Sequence, residues 1–396
     1  MKRRLAFVLG LMIAALTALP GCLSPISPEA YGYVISVGAD RGVNKRYCFT
    51  FQLQRELSEP SSDKEGGAEI LSLEGDTIED AVTGLEGNLP FALSFSRTNL
   101  FVFSRETAEA GDIEELLSIS FDRLKIRRSA VLAVSEGTAL EFIGGLSAGN
   151  DPNIRKLREA VMLDMEKTGM ISIMSAARLF EAVETGVFDH TAVLGRYDPE
   201  VMTDPEQKKN ENEGKDPVES ASPGDRIGGI KTIMTGTALF SGWRMTGTLT
   251  REETLYLNIA RGELKNGTLS LRAGNGFVSL TLKIRSIKRN IDIGDGDITA
   301  RVAVALDASV ISKPPGMTER ELESFVAGDV PRAIVRMLDS VFEKCLAADS
   351  DAMRFGTDAV KLFGTKEAWR EFDWKSRYPG MTAEFSVSVA LQPGTE

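Results

Sequence analysis

Val278, Leu280, Leu282 and Ile284 alternate with Ser279, Thr281, Lys283 and Arg285. A second alternating set, Ile298, Ala300, Val302, Val304, Leu306 and Val310, follows the turn sequence Gly294-Asp295-Gly296-Asp297. Successive side chains of a strand point to opposite faces, so a period of two places the apolar groups of each run on one side. Asp-Gly between two such runs is a hairpin signal. Together they predict an antiparallel sheet with one wet face and one face that something apolar must cover.

The cover is written downstream. Leu322, Val326, Val330, Ile334, Met337, Leu338, Val341 and Cys345 trace one stripe at helical spacing. Thr318 followed by Glu321 has the form of a capping box at its start. Pro331 falls in mid-helix, where its missing N–H and its ring are expected to kink or divide the helix. A last alternating run, Phe385 to Leu391, is expected to pair into the same sheet.

The preceding chain mixes the two periods. Tyr33 to Gly38 and Tyr47 to Leu53 read as strands around a turn at Asp40 to Asn44. Ile70 to Leu73 leads into a helix that starts at Asp76 or Thr77. Leu100 to Phe103 reads as a buried strand, Ile113 to Ile119 as a helix, and Arg128 to Val134 as a strand. Residues 137–202 read as largely helical, with Ile173, Ala176, Ala177, Phe180 and Val183 on one apolar face. Thr235 to Phe240 and Met245 to Leu249 read as paired short strands, followed by a capping box at Thr250 and Glu253. Residues 56–67 are polar and expected to loop. Residues 204–229 carry almost no apolar side chains, so they cannot bury enough surface to order themselves. The expected fold is therefore α+β and multi-domain, with mixed or antiparallel sheets each covered by helices and a C-terminal antiparallel sheet under a long helix. The expected units are 31–135, 136–265 with a flexible insertion at 204–229, and 266–396.

The first thirty residues are of another kind. Lys2, Arg3 and Arg4 precede an apolar run from Leu5 to Leu19. At ~1.5 Å per residue, fifteen residues reach roughly 22 Å, short of the ~30 Å hydrocarbon core. The layout is that of a cleaved secretory signal. Leu19-Pro20-Gly21-Cys22 resembles the bacterial lipoprotein signal, with Leu at minus three, a small residue at minus one and Cys at plus one. Pro20 at minus two departs from it. Residues 1–21 are thus expected to be removed, and Cys22 to carry a diacylglyceryl group on its sulfur. Two acyl chains hold a protein at a bilayer far more firmly than one. Residues 22–30, with Pro25 and Pro28 among serines, read as the tether. Loss of Lys2, Arg3 and Arg4 takes the formal charge from −11 to −14. An acidic surface disfavours nucleic acid as a partner. Cys48 and Cys345 lie on apolar faces and read as core thiols.

No constellation points to catalysis, a cofactor or a metal site. His190 is the only histidine and reads as a structural loop residue. CxxC, HExxH, P-loop and strand-linked GxGxxG patterns are absent from the sequence. Ser94-Phe95-Ser96 and Gly145-Leu146-Ser147 lack the context of a nucleophile elbow. Glu114-Glu115 and Glu252-Glu253 read as solvated helix faces, and Asp295-Gly296-Asp297 as a plain turn. Trp369 to Trp374 and Tyr378-Pro379-Gly380 read as a satellite core under a loop, with a partner-binding edge as the other use of such residues.

In order along the chain, several short motifs resemble one family. Cys22 ends a lipoprotein signal, and Ile35-Ser36-Val37-Gly38-Ala39-Asp40 has that family's strand-Gly-x-Asp opening. Thr235 to Phe240 and Met245 to Leu249 are similar to its GTA…G.L segment. Asp351-Ala352-Met353-Arg354-Phe355-Gly356, followed by Trp369 and Trp374, is similar to its Asp…FG…W…W segment. Ala39, Met353-Arg354 and the 204–229 stretch depart from the pattern. The chain resembles spore germination lipoproteins of the Ger(x)C type, the C subunits of germinant receptors. The resemblance implies a non-enzymatic subunit of three α+β domains on the outer face of the spore inner membrane. Its partners would be two multipass membrane subunits that carry germinant sensing and ion conduction. A solute-binding lipoprotein of a transporter is the alternative. It calls for repeated strand–helix units with parallel sheets, which the half-wet strands at 278–310 do not match.

Overall fold

A computed structural model describes residues 31–54, 69–147, 167–199, 231–294 and 297–392. Cys22, the expected loop at 56–67 and the expected insertion at 204–229 lie outside the described residues.

The first layer is a nine-stranded sheet. Its strands are β1 (Tyr31–Arg41), β2 (Tyr47–Gln54), β3 (Glu69–Gly75), β4 (Ala92–Ser94), β5 (Leu100–Ser104), β6 (Val131–Ser135), β7 (Thr191–Tyr197), β8 (Thr232–Ser241) and β9 (Arg244–Thr250). The order is β3-β2-β1-β5-β6-β7-β8-β9, with β4 beside β1. The centre, β1-β5-β6-β7, is parallel, and antiparallel strands flank it on both sides. Parallel strands need cover on both faces, and all five residues of β5 are buried. Phe101 and Phe103 stack at 4.9 Å on one side, in a core shared with Phe49 and Phe51. Leu100 and Val102 fill the other side with Ala133, Phe142 and Ile143.

The helices of this layer are α1 (Ile78–Glu86), α2 (Arg105–Ala110), α3 (Ile113–Asp122), α4 (Ala139–Ser147) and α5 (Ala176–Thr185). Asp40 positions α4 across the sheet. The N–H groups of Ala139 and Leu140 donate to its carboxylate at 2.6 and 3.1 Å, satisfying amides that a helix start leaves open. A Cβ on Gly38 would lie 3.0 Å from both Ala139 Cβ and Ile143 Cδ1. The strand-Gly-x-Asp opening thus lets α4 approach β1 and then caps it.

Three expectations change here. The break expected after residue 135 is no break in the sheet, because β6 pairs with β7. Residues 137–202 are not largely helical where described. Thr191 to Gly195 is a fully buried strand, as the β-branched Thr191 and Val193 favour. The stripe begun at Ile173 also shifts. Ile173 to Ser175 lie outside the helix, held by Leu132 N to Met174 O at 3.2 Å and a Val131–Ser175 bridge. The buried face of α5 is Ala176, Leu179 and Ala182, and Ala177 is exposed.

Helix α6 (Arg251–Arg261) leads into the second layer, and both bonds of its Thr250–Glu253 capping box are made. The second sheet runs β10 (Gly267–Ala273), β11 (Gly276–Gly294), β12 (Asp297–Ser312) and β13 (Thr382–Leu391). The expected hairpin joins β11 and β12, from Ser279 opposite Ser312 to Gly294 opposite Asp297. The sheet is mixed, not antiparallel, because β13 runs parallel to β12. A parallel neighbour requires a crossover connection, and here it is residues 313–381. Its main element is α7 (Glu319–Ala347), one helix that includes Pro331 without being divided by it. The predicted stripe is buried, with Met337 only half-buried. Cys345 is buried in this core, whereas Cys48 on β2 is only half-buried. Both thiols are free.

Candidate functional site

The two sheets meet through a buried polar joint centred on the segment that follows α7. Asp349 and Arg354 have φ of 47° and 62°, a left-handed conformation that bulky residues rarely adopt. Those two turns fold residues 349–356 back on themselves around Asp351. The Asp351 carboxylate is buried and accepts three N–H bonds: Phe355 N at 2.8 Å, Gly356 N at 2.8 Å and Trp374 Nε1 at 3.1 Å.

The first layer enters through Asp189, just before β7. Its carboxylate accepts from Asp351 N at 2.8 Å, Gly242 N at 3.0 Å and Lys375 Nζ at 2.6 Å. Its own N–H donates back to Asp351 O at 3.3 Å. One aspartate therefore binds the β8–β9 turn, the segment after α7 and the aromatic stretch together.

Three arginines complete the joint. Arg261, at the end of α6, has a side chain 1% exposed. It donates to Ala352 O at 2.6 Å, Ser172 Oγ at 2.8 Å and Thr191 Oγ1 at 3.3 Å. Arg289 on β11 donates to Ala260 O, Met353 O and Arg354 O, each at 3.0 Å, and pairs with Asp358 at 2.8 Å. Arg354 pairs with Glu263. Tyr378 Oη donates to Ser350 O at 2.8 Å. Trp369, Trp374 and Tyr378 are buried in the second core, so the aromatic stretch is core and does more than fill a satellite.

Burial pushes the Asp351 carboxyl up to about 7, against the pull of its N–H donors. Burial, and then the charge of Arg354, lowers Arg261 to about 9. His190 sits beside them with its ring 4.0 Å from that of Phe240. Neither ring nitrogen has a hydrogen-bond partner. Burial first and the Arg261 charge second lower its pKa to about 3. The expected loop histidine is thus a neutral ring inside the joint.

The two buried groups have opposite pH signatures. An ordinary histidine titrates near 6.5, so at His190 the unfolded chain binds a proton that the folded chain refuses, and stability is lost as pH falls through 6.5. An ordinary aspartate titrates near 3.8, so at Asp351 the folded chain keeps its proton longer, and stability is lost as pH rises toward 7. Between about 4 and 6.5 these slopes oppose each other. His190→Phe removes the first. Relative to the parent protein, the variant is expected to gain roughly 2 kcal/mol on going from pH 7 to pH 5, read as urea midpoints at both pH values. An identical midpoint difference at the two pH values would show that the ring titrates normally.

Both oxygens of Asp189 and of Asp351 are occupied by N–H donors of the protein. What this arrangement does chemically is hold backbone segments together. Among the described residues, no three His, Cys, Asp or Glu side chains gather where a metal ion could be held. Glu115 pairs with Arg46 on the surface, and Glu253 serves its capping box and Lys344. The one site residue expected from sequence, Cys22, is outside the described residues. Asp351 and Gly356 were marked by resemblance. Asp189 is legible only as the neighbour of His190, and Arg261, Arg289 and Lys375 lie outside every motif.

An α+β chain of two sheets, joined through an Asp…Phe-Gly segment and closing tryptophans, defines a class that comparison identifies. The model for the spore germination protein N-terminal domain matches residues 27–189, and that for the spore germination B3/GerAC-like C-terminal domain matches residues 235–393. The crystal structure of the GerBC protein superposes with a TM-score of 0.55 at 11% identity, covering 90% of this chain and 97% of that one. At that identity the likeness is one of fold. No curated protein matches the sequence. The chain belongs to the Ger(x)C family of spore germination proteins, the C subunits of germinant receptors.

Proposed function

We propose that this chain is a lipid-anchored, non-enzymatic subunit of a germinant receptor, held on the outer face of the spore inner membrane through acyl chains on Cys22. It works beside two multipass membrane subunits and supports nutrient-triggered germination through assembly or signalling. The observation that carries this reading is the match of both family domains in order, behind a stretch that resembles a lipoprotein signal. Among the described residues no helix is long and apolar enough to cross a membrane. The acyl chains would supply the attachment, and two of them suffice for a stable anchor.

Affinity purification from detergent-solubilised spore inner membranes, with mass spectrometry of what accompanies the protein, tests the reading. Two multipass proteins in near-equal amount are expected. A permease with an ATPase would move the chain to the solute-binding class, and recovery of the chain alone would overturn the subunit reading. Cys22→Ala is expected to leave the precursor uncleaved or mislocalised in membrane fractionation, because the lipid acceptor is gone. Normal membrane retention of that variant would refute the anchor.

A further inference from the structure

The end of the second sheet farthest from the joint carries a groove of about 850 Å³ between the last residues of β10 and one flank of α7. Its floor is apolar, formed by Leu271, Ala273, Pro314, Met317 and Phe325. Apolar exposure concentrates at this end. Phe277 is 61% exposed, Ile311 57% and Val310 38%, three of the six large hydrophobic side chains exposed among the described residues.

The charges in the groove are unevenly satisfied. Of its carboxylates, Glu321 is committed to the capping box with Thr318 and Asp329 to Arg332. Its two guanidiniums, Arg272 and Arg336, have no carboxylate partner among the described residues. Arg272 makes only a 3.4 Å bond to the carbonyl of Gly274. Two unpaired cations therefore flank an apolar floor.

One wall is also the edge of a sheet. Among the described residues β10 pairs only with β11. The two-residue turn Gly274-Asn275 is closed by Ala273 opposite Gly276, which makes Ala273, Leu271 and Leu269 the residues bonded to β11. The backbone groups of Thr268, Ser270 and Arg272 then point away from the sheet, and among the described residues none has a backbone partner there. An unpaired edge beside an apolar groove is the geometry by which an extended segment adds as a further strand, with every second side chain entering the groove.

We propose that this groove binds an extended segment of a partner protein, added to β10 as a fifth strand, whose apolar side chains fill the floor and whose carboxylate lies between Arg272 and Arg336. The assignment stands on the groove alone and does not need the receptor reading. The test uses the full-length chain in its native membranes, with the photo-crosslinking residue benzoylphenylalanine in place of the exposed, groove-lining Ser324, and sequencing of the crosslinked product. The expected product is one partner segment with an Asp or Glu flanked by apolar residues. Arg272→Glu with Arg336→Glu is expected to cut its yield at least tenfold. Arg272→Lys with Arg336→Lys is expected to retain most of it, and a Lys in place of the partner's acid is expected to restore it to the Glu variant. Both arginines line the open groove, and an unchanged melting temperature would confirm that the Glu variant is folded. Crosslinks only to phospholipid would replace the peptide by an anionic headgroup and overturn the proposal. So would crosslinks only to a second copy of this chain, a segment without acidic residues, or a yield indifferent to charge reversal.

Discussion

Gly356→Ala is expected to lower stability by about 3 kcal/mol or more, at the upper end of what overpacking costs. A Cβ at this position would lie 1.8 Å from Val187 O and 2.8 Å from Trp374 Nε1. Neither obstacle is the free end of a flexible side chain. Val187 O is backbone in the turn between α5 and β7, and Trp374 Nε1 is bound to Asp351. Room for one methyl can come only by separating the segment after α7 from the first layer. That movement would also strain the two N–H bonds that Phe355 and Gly356 give to Asp351. The check is a urea or thermal unfolding curve against the parent protein. A midpoint within experimental error of the parent would mean that the joint opens at little cost.

Asp351→Ala is expected to cost a similar amount for a different reason. It leaves Phe355 N, Gly356 N and Trp374 Nε1 buried without an acceptor, and each unsatisfied buried group costs about 1–3 kcal/mol. Removal of a buried carboxylate returns part of that by relieving desolvation, so a net loss of about 3 kcal/mol is expected. Asp351→Asn keeps one acceptor oxygen and is expected to lose roughly half as much. Trp374 gives a local readout, since the loss of its acceptor should shift its emission before global unfolding. If Asp351→Ala were as stable as the parent, the three donors would have to find other acceptors, and the hub role assigned to this residue would fail. Gly356→Ala and Asp351→Ala share partners, so their combined effect should fall short of the sum.

Much of the fold was legible because it rests on period and on caps. The β11–β12 hairpin follows from strict alternation and an Asp-Gly turn, and the starts of α6 and α7 follow from their Thr-x-x-Glu spacing. Alternation reports a face and not a direction or a neighbour. It could not show that β13 is parallel, nor that β6 finds β7 beyond residue 135. The joint was hidden for the same reason, since Asp189 and Asp351 lie 162 positions apart. Arg289 left a faint trace. Before Ile284 the even-numbered residues of β11 face the core. The irregularity between Ile284 and Ser286 passes that duty to Ile287, Ile291 and Ile293, and Arg289 turns inward with them. A shift of apolar parity from even to odd within one strand is a bulge signal in the bare sequence.

The crossover that makes β13 parallel has a consequence for how the molecule comes together. Residues 313–381 must all be in place before β13 can reach β12, and the segment 349–356 lies within that stretch. Completion of the second sheet and its docking onto the first therefore draw on the same stretch of chain. A chain growing from its N-terminus cannot close the joint until Tyr378, nor complete the sheet until Leu391, has left the ribosome. The two sheets should accordingly behave as one cooperative unit in assembly and in turnover, even though each has its own core.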